Sequence, residues 1–207
     1  MSSAQACVSV VDDDAAVLRS MGRLLQAAGY AVQTFSSGQD FLTHPDGGAP
    51  GCIVIDLSMP GLGGLDVQHA LAKKADLRPV VFISGQGSIE TSVAAMKAGA
   101  IDFLTKPFDE RQLIGAVNAA VEKDRALRKT HAERAVIDAR LATLTPRERD
   151  VLELVVCGRL NKQIAAALST AEKTVKVHRA RMMLKMQVDS LAGLVRAWTF
   201  IQPPSGS

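Results

Sequence analysis

The chain has 207 residues, 47% hydrophobic and 22% charged, enough apolar material for one large domain or two modest ones. Its apolar stretches never reach the roughly 18 to 20 uninterrupted residues of a membrane helix, and its opening Met-Ser-Ser-Ala-Gln-Ala lacks the features of a secretory leader. The net charge of +3 hides a division: residues 1–124 carry 9 Lys/Arg against 14 Asp/Glu, or −5, and residues 125–207 carry 15 against 7, or +8. An acidic half and a basic half point to two domains with different partners, the basic one compatible with nucleic acid. Cys7, Cys52 and Cys157 lack metal-ligand spacing and read as reduced, mostly buried thiols of a cytoplasmic protein.

In chain order, residues 7–11 form a β-branched run, and 15–28 read as a helix ending at Gly29. Further strands are expected at 31–35, 52–56, 80–84 and 101–105, with helices at 88–98 and 109–123. Strands alternating with helices predict a parallel, doubly wound α/β sheet, and near-continuous apolar strands predict that both its faces are covered. Past 124 the strand signal stops. Residues 125–141 read as a helical linker. Apolar residues at 127, 137, 141 and 144 suggest a heptad seam, but Thr130 and Arg134 interrupt it, which favours a solvated spacer over a coiled coil. Several short helices follow, and 202–207 read as a frayed tail.

In an open α/β sheet, functional groups collect beyond the carboxyl ends of the strands. That rule selects Asp12, Asp13 and Asp14 after the first strand, Asp56 after the third, Ser84 after the fourth and Lys106 after the fifth. A single aspartate there reads as a cap or turn residue. Three acids, a hydroxyl and an ammonium on one rim read as a site. Uncompensated, the acids raise one another's pKa, so a cation is expected between them. Asp14 is expected to cap the first helix.

"VVDDD", "IDLSMPGLGG", "ISGQGS" and "DFLTKPF" together resemble the receiver domain of bacterial two-component response regulators, over about residues 5–124. The resemblance implies a flavodoxin-like sheet of five parallel strands in the order 2-1-3-4-5. It makes Asp56 the phosphoacceptor, and gives Mg²⁺ the ligands Asp12, Asp13, Asp56 and the backbone carbonyl of Ser58. Ser84 becomes the switch hydroxyl, Lys106 the phosphoryl-pairing lysine and Phe103 the aromatic switch. The Lys106–Pro107 bond is often cis in this family. A haloacid-dehalogenase-type phosphatase is the enzymatic rival, but it places a second Asp where this chain has Ser58. No His is placed to donate the phosphoryl group, and His44, His69 and His131 read as surface residues.

The basic half opens with "LTPRE", a capping box of Thr145 and Glu148 with Pro146 at the first helical position. That helix is expected to run to about Cys157 and stop at Gly158. A second starts near Asn161, which is able to cap it, and a third runs over 172–186. Projected at 100° per residue, the third helix sets Val175, Met182 and Met186 towards a core. Lys173, Lys176, Val177 and Ala180 lie opposite, with Arg181 at their flank. Such a face suits a DNA major groove, although a solvated basic helix has the same pattern. Arg179 and His178 fall towards the core, with Arg179 expected to pair with Glu148.

The stretch from "LTPRERD" to "HRARMMLKM" resembles the helix-turn-helix of the LuxR group, its end especially the FixJ branch. The resemblance implies a recognition helix at 172–186, a phosphate contact by Lys162 and a dimer contact by the last helix, about 190–200. Ala171 and Leu160 stand where the group commonly has Ser. The expected organisation is a receiver at 1–124, a linker at 125–141 and a DNA-binding domain at 142–201. The expected function is that of a cytoplasmic response regulator, not a metabolic enzyme. A sensor histidine kinase phosphorylates it at Asp56, and it then acts as a homodimer on double-stranded DNA, where RNA polymerase is a further partner. The alternative is a transcription factor whose receiver is gated by a ligand or protein instead of phosphate.

Overall fold

The computed structural model describes residues 5–44, 48–74, 76–85, 93 and 95–202. The chain divides into two compact units, Met1–Arg128 and Lys129–Ser207.

The first unit holds strands β1 (Cys7–Val11), β2 (Ala31–Phe35), β3 (Gly51–Asp56), β4 (Val80–Ser84) and β5 (Asp102–Thr105). They form one sheet in the order β2-β1-β3-β4-β5, every neighbouring pair parallel. Helices α1 (Ala15–Ala27), α2 (Gly38–Thr43) and α3 (Gly64–Lys73) connect the strands, and α4 (Glu110–Ala142) follows β5. Strand residues alternate between two cores, as the two-residue period requires. Val8, Val10, Val54 and Ile83 pack with Leu18, Leu25, Leu113 and Val117 on one face. Val11, Ile53, Ile55 and Phe82 pack with Phe41, Val67 and Leu71 on the other. Gly29 ends α1 in a left-handed conformation (φ 92°). The helix expected at 88–98 lies largely outside the described residues, although 95–97 are helical.

The second unit contains the end of α4 with α5 (Pro146–Val156), α6 (Asn161–Ala167), α7 (Glu172–Met186) and α8 (Leu191–Ile201). Its core gathers Leu141, Val151, Leu152, Ile164, Val175, Met182, Met186 and Leu194, with Ile137 and Leu144 against it. Ile137 and Leu141 of α4, and Leu144 just after it, therefore face the core of their own unit, whereas residues 129–136 of the same helix are exposed. Arg134 donates to the carbonyl of Ile201 (3.0 Å) and Arg140 to that of Met186 (3.3 Å), so α4 also holds the ends of α8 and α7.

Three local expectations need correction. Asn161 does not cap α6: Leu160 occupies the cap position in extended conformation, and its N–H is taken by the Gln163 side chain at 2.9 Å. Arg179 does not pair with Glu148; it donates to Asn161 Oδ1 at 3.1 Å, while Lys185 holds Glu148 at 2.6 Å. Of the three cysteines only Cys52 is buried; Cys7 is half-buried and Cys157 exposed.

Candidate functional site

Parallel register sets the strand ends of the first unit side by side. Asp56 is the last residue of β3 and pairs with Ile83, one position before Ser84; Ser84 pairs with Thr105, one position before Lys106. Asp12 follows β1 directly, and its N–H bonds to the carbonyl of Phe35 at 3.1 Å. Carboxylate oxygens of Asp12, Asp13 and Asp56 converge within 4.8 Å of one another. Asp12 and Asp56 are buried, while Asp13 faces solvent. Asp14 caps α1 as expected, accepting from the N–H of Ala16 at 2.7 Å.

Lys106 binds both buried acids, its Nζ lying 2.7 Å from Asp56 Oδ2 and 2.9 Å from Asp12 Oδ2. Burial pulls the ammonium down, but the hydrogen bonds to Asp56 and Asp12 and their charges outweigh it and hold the pKa above the usual lysine value. Asp12 moves up instead: burial of its carboxylate outweighs the hydrogen bonds from Lys106 and from the Asp14 N–H. The cis Lys106–Pro107 peptide bond is present. Ser84 is fully buried and Phe103 partly buried against the second core. The Ser58 N–H donates to Asp56 Oδ1 at 3.1 Å. The set is one of hard oxygen donors with charge to spare, as Mg²⁺ requires.

One positioning residue escaped the sequence reading. A Cβ at Gly64 would meet the Asp56 carbonyl at 2.7 Å and the Phe82 ring at 2.9 Å, so only glycine lets α3 begin this close to the acid site. The signal was present in "PGLGG", but a glycine run after a strand end reads equally as a turn.

In the second unit, Val175, Met182 and Met186 are buried, whereas Lys173, Lys176, Val177, Ala180 and Arg181 are exposed on α7. Lys176 lies 3.5 Å from Glu172 on this surface. Lys162 is exposed near the start of α6. The left-handed Ser169 (φ 50°) lies in the turn from α6 to α7, and Ala171 caps α7 without a side-chain bond. At α5, Thr145 Oγ1 accepts from the Glu148 N–H at 3.3 Å, and Glu148 Oε2 from the Thr145 N–H at 2.9 Å. The bond from Lys185 and that from the Thr145 backbone hold the Glu148 carboxyl below the usual range. No helix among the described residues is long and apolar enough to cross a membrane.

Comparison with known proteins agrees with both halves. Residues 8–118 match the response regulator receiver domain, and residues 142–198 the bacterial regulatory proteins of the luxR family. Nodulation protein W of Bradyrhizobium diazoefficiens is 44% identical over 196 residues, spanning 94% of this chain and 86% of that protein. The response regulator protein TodT of Pseudomonas putida is 42% identical over 95% of this chain and 86% of its own length. Among solved structures, the response regulator StyR superposes with a TM-score of 0.85 at 42% identity, covering 94% of this chain and 98% of that one. Full-length FixJ from B. japonicum gives a TM-score of 0.58 at 38% identity, with coverages of 94% and 96%. The chain belongs to the two-component response regulators that join a receiver to a LuxR-type DNA-binding domain. Such a protein is a signalling transcription regulator that answers to a sensor kinase and binds DNA.

Proposed function

We propose that Asp56 accepts a phosphoryl group from a phosphohistidine of the sensor kinase, and that the phosphorylated chain dimerises on DNA and activates transcription. The observation that carries this is the pairing of Lys106 with Asp56 and Asp12 at one strand-end rim. An Asp56 oxygen forms the new bond to phosphorus as the P–N bond breaks, and the bonding electrons leave with the imidazole. Asp12, Asp13, Asp56 and the Ser58 carbonyl would hold Mg²⁺, which neutralises charge on the transferring group when bound. Lys106 supplies a fixed positive charge for the phosphoryl oxygens. Ser84 donates a hydrogen bond to the product, and Phe103 turns further inward behind it.

These contacts favour the active conformation by the difference between what they contribute in each state. The active dimer sets two α7 helices against paired half-sites, with Lys162, Lys173, Lys176 and Arg181 on phosphates or base edges and Val177 and Ala180 on the groove floor. The protein works in the cytoplasm, where RNA polymerase is the further partner. Sedimentation velocity and DNA anisotropy before and after acetyl phosphate with Mg²⁺ test the reading. A shift to dimer and tighter DNA binding are expected, both lost in Asp56→Asn; an equal response of Asp56→Asn would contradict it.

A further inference from the structure

Among the described residues, no large hydrophobic side chain is more exposed than Leu184, at 79%. A lone surface leucine needs no explanation, but Leu184 is not placed at random. At 100° per residue it lies about 20° from Lys173 around α7, and about 160° from the buried Met182. It is thus near the middle of the basic face, one turn beyond Ala180 and two turns beyond Val177, itself 43% exposed. Val177, Ala180 and Leu184 make an apolar stripe about 10 Å long. Lys173 stands at the head of the stripe, Lys176 on one side of it and Arg181 on the other. The stripe is also held firmly in place. The next residue, Lys185, is tied to Glu148 (2.6 Å) and to the Thr143 carbonyl (3.0 Å), and Met186 is buried.

A cationic border around an apolar centre suits the major groove of double-stranded DNA in charge and shape, with phosphates along its walls and thymine methyl groups on its floor. We propose that Leu184 reads a thymine methyl group at the outer end of the half-site, extending the contact surface past Ala180. The inference rests on α7 being the DNA-reading helix.

The test uses the full chain, with and without acetyl phosphate and Mg²⁺. Preferred duplexes are selected from a random library by the wild type, and each thymine is then replaced singly by deoxyuridine. With about one methyl group's worth of burial at stake, wild-type binding should weaken roughly three- to fivefold at the contacted position. Leu184→Ala should bind the thymine duplex more weakly by a similar factor and be indifferent to deoxyuridine at that position alone; Leu184→Met should restore most of the discrimination. Leu184→Ala with wild-type affinity and the full wild-type deoxyuridine profile would overturn the proposal, because Leu184 would then face a protein or water. If instead the wild type enriches no sequence, the reading of α7 itself fails, and the proposal with it.

Discussion

Asp12 and Asp56 hold the Lys106 ammonium between two buried carboxylates, at 2.9 and 2.7 Å, and burial makes the Asp12 charge unfavourable in the folded state. In chelator-treated buffer at neutral pH, Asp12→Asn is therefore expected to raise the melting temperature while abolishing any stabilisation by added Mg²⁺. A thermal scan of both proteins with and without Mg²⁺ checks this, and an unchanged Mg²⁺ response in the variant would remove Asp12 from the metal site. Glu148 behaves in the opposite sense. Lys185 and the Thr145 N–H hold its folded-state pKa below the ordinary glutamate value of roughly 4.3. Its contribution to stability is thus present above that ordinary value and lost as pH falls through the lower, folded one. Lys185→Met should flatten the acid limb of the stability curve, as followed by the single indole, Trp198, which packs against the core of the second unit.

At the scale of elements, the caps and buried faces set the second unit. Thr145→Ala removes the Oγ1 acceptor at the start of α5 and should destabilise this unit by about 1 kcal/mol in urea titration. Met182 is fully buried between α7 and its neighbours, so Met182→Ala should cost about 2 to 5 kcal/mol. A smaller loss there would mean that the core relaxes around the gap.

These elements also show what was legible in the sequence. The Thr145 and Glu148 box, the Asp14 cap and the Gly29 stop depend on residues within a few positions of one another, so the order of residues alone reveals them. The strand-end rim was legible because apolar runs mark where each strand stops. Arg179 and Asn161 were not, because their bond joins two helices, and the projection of one helix gives a direction without a partner. Residues 137, 141 and 144 have the spacing of a seam between chains; only the placement of α5, α7 and α8 shows that their own unit covers them.

Taken whole, the molecule joins an acidic receiver unit to a basic unit of the LuxR type, the two-domain division that its charge suggested. DNA binding by the second unit should weaken with salt, and Lys162→Ala should reduce the slope of log K against log salt by about 0.9 per protomer. An unchanged slope would take Lys162 off the phosphates. The central claim concerns the first unit, where Asp56 must carry the phosphoryl group. The most direct measurement is an intact-mass spectrum after incubation with acetyl phosphate and Mg²⁺, beside Asp56→Asn. One phosphoryl adduct, absent without Mg²⁺ and absent in the variant, is the predicted result; no adduct, or an adduct that persists in Asp56→Asn, would contradict the account.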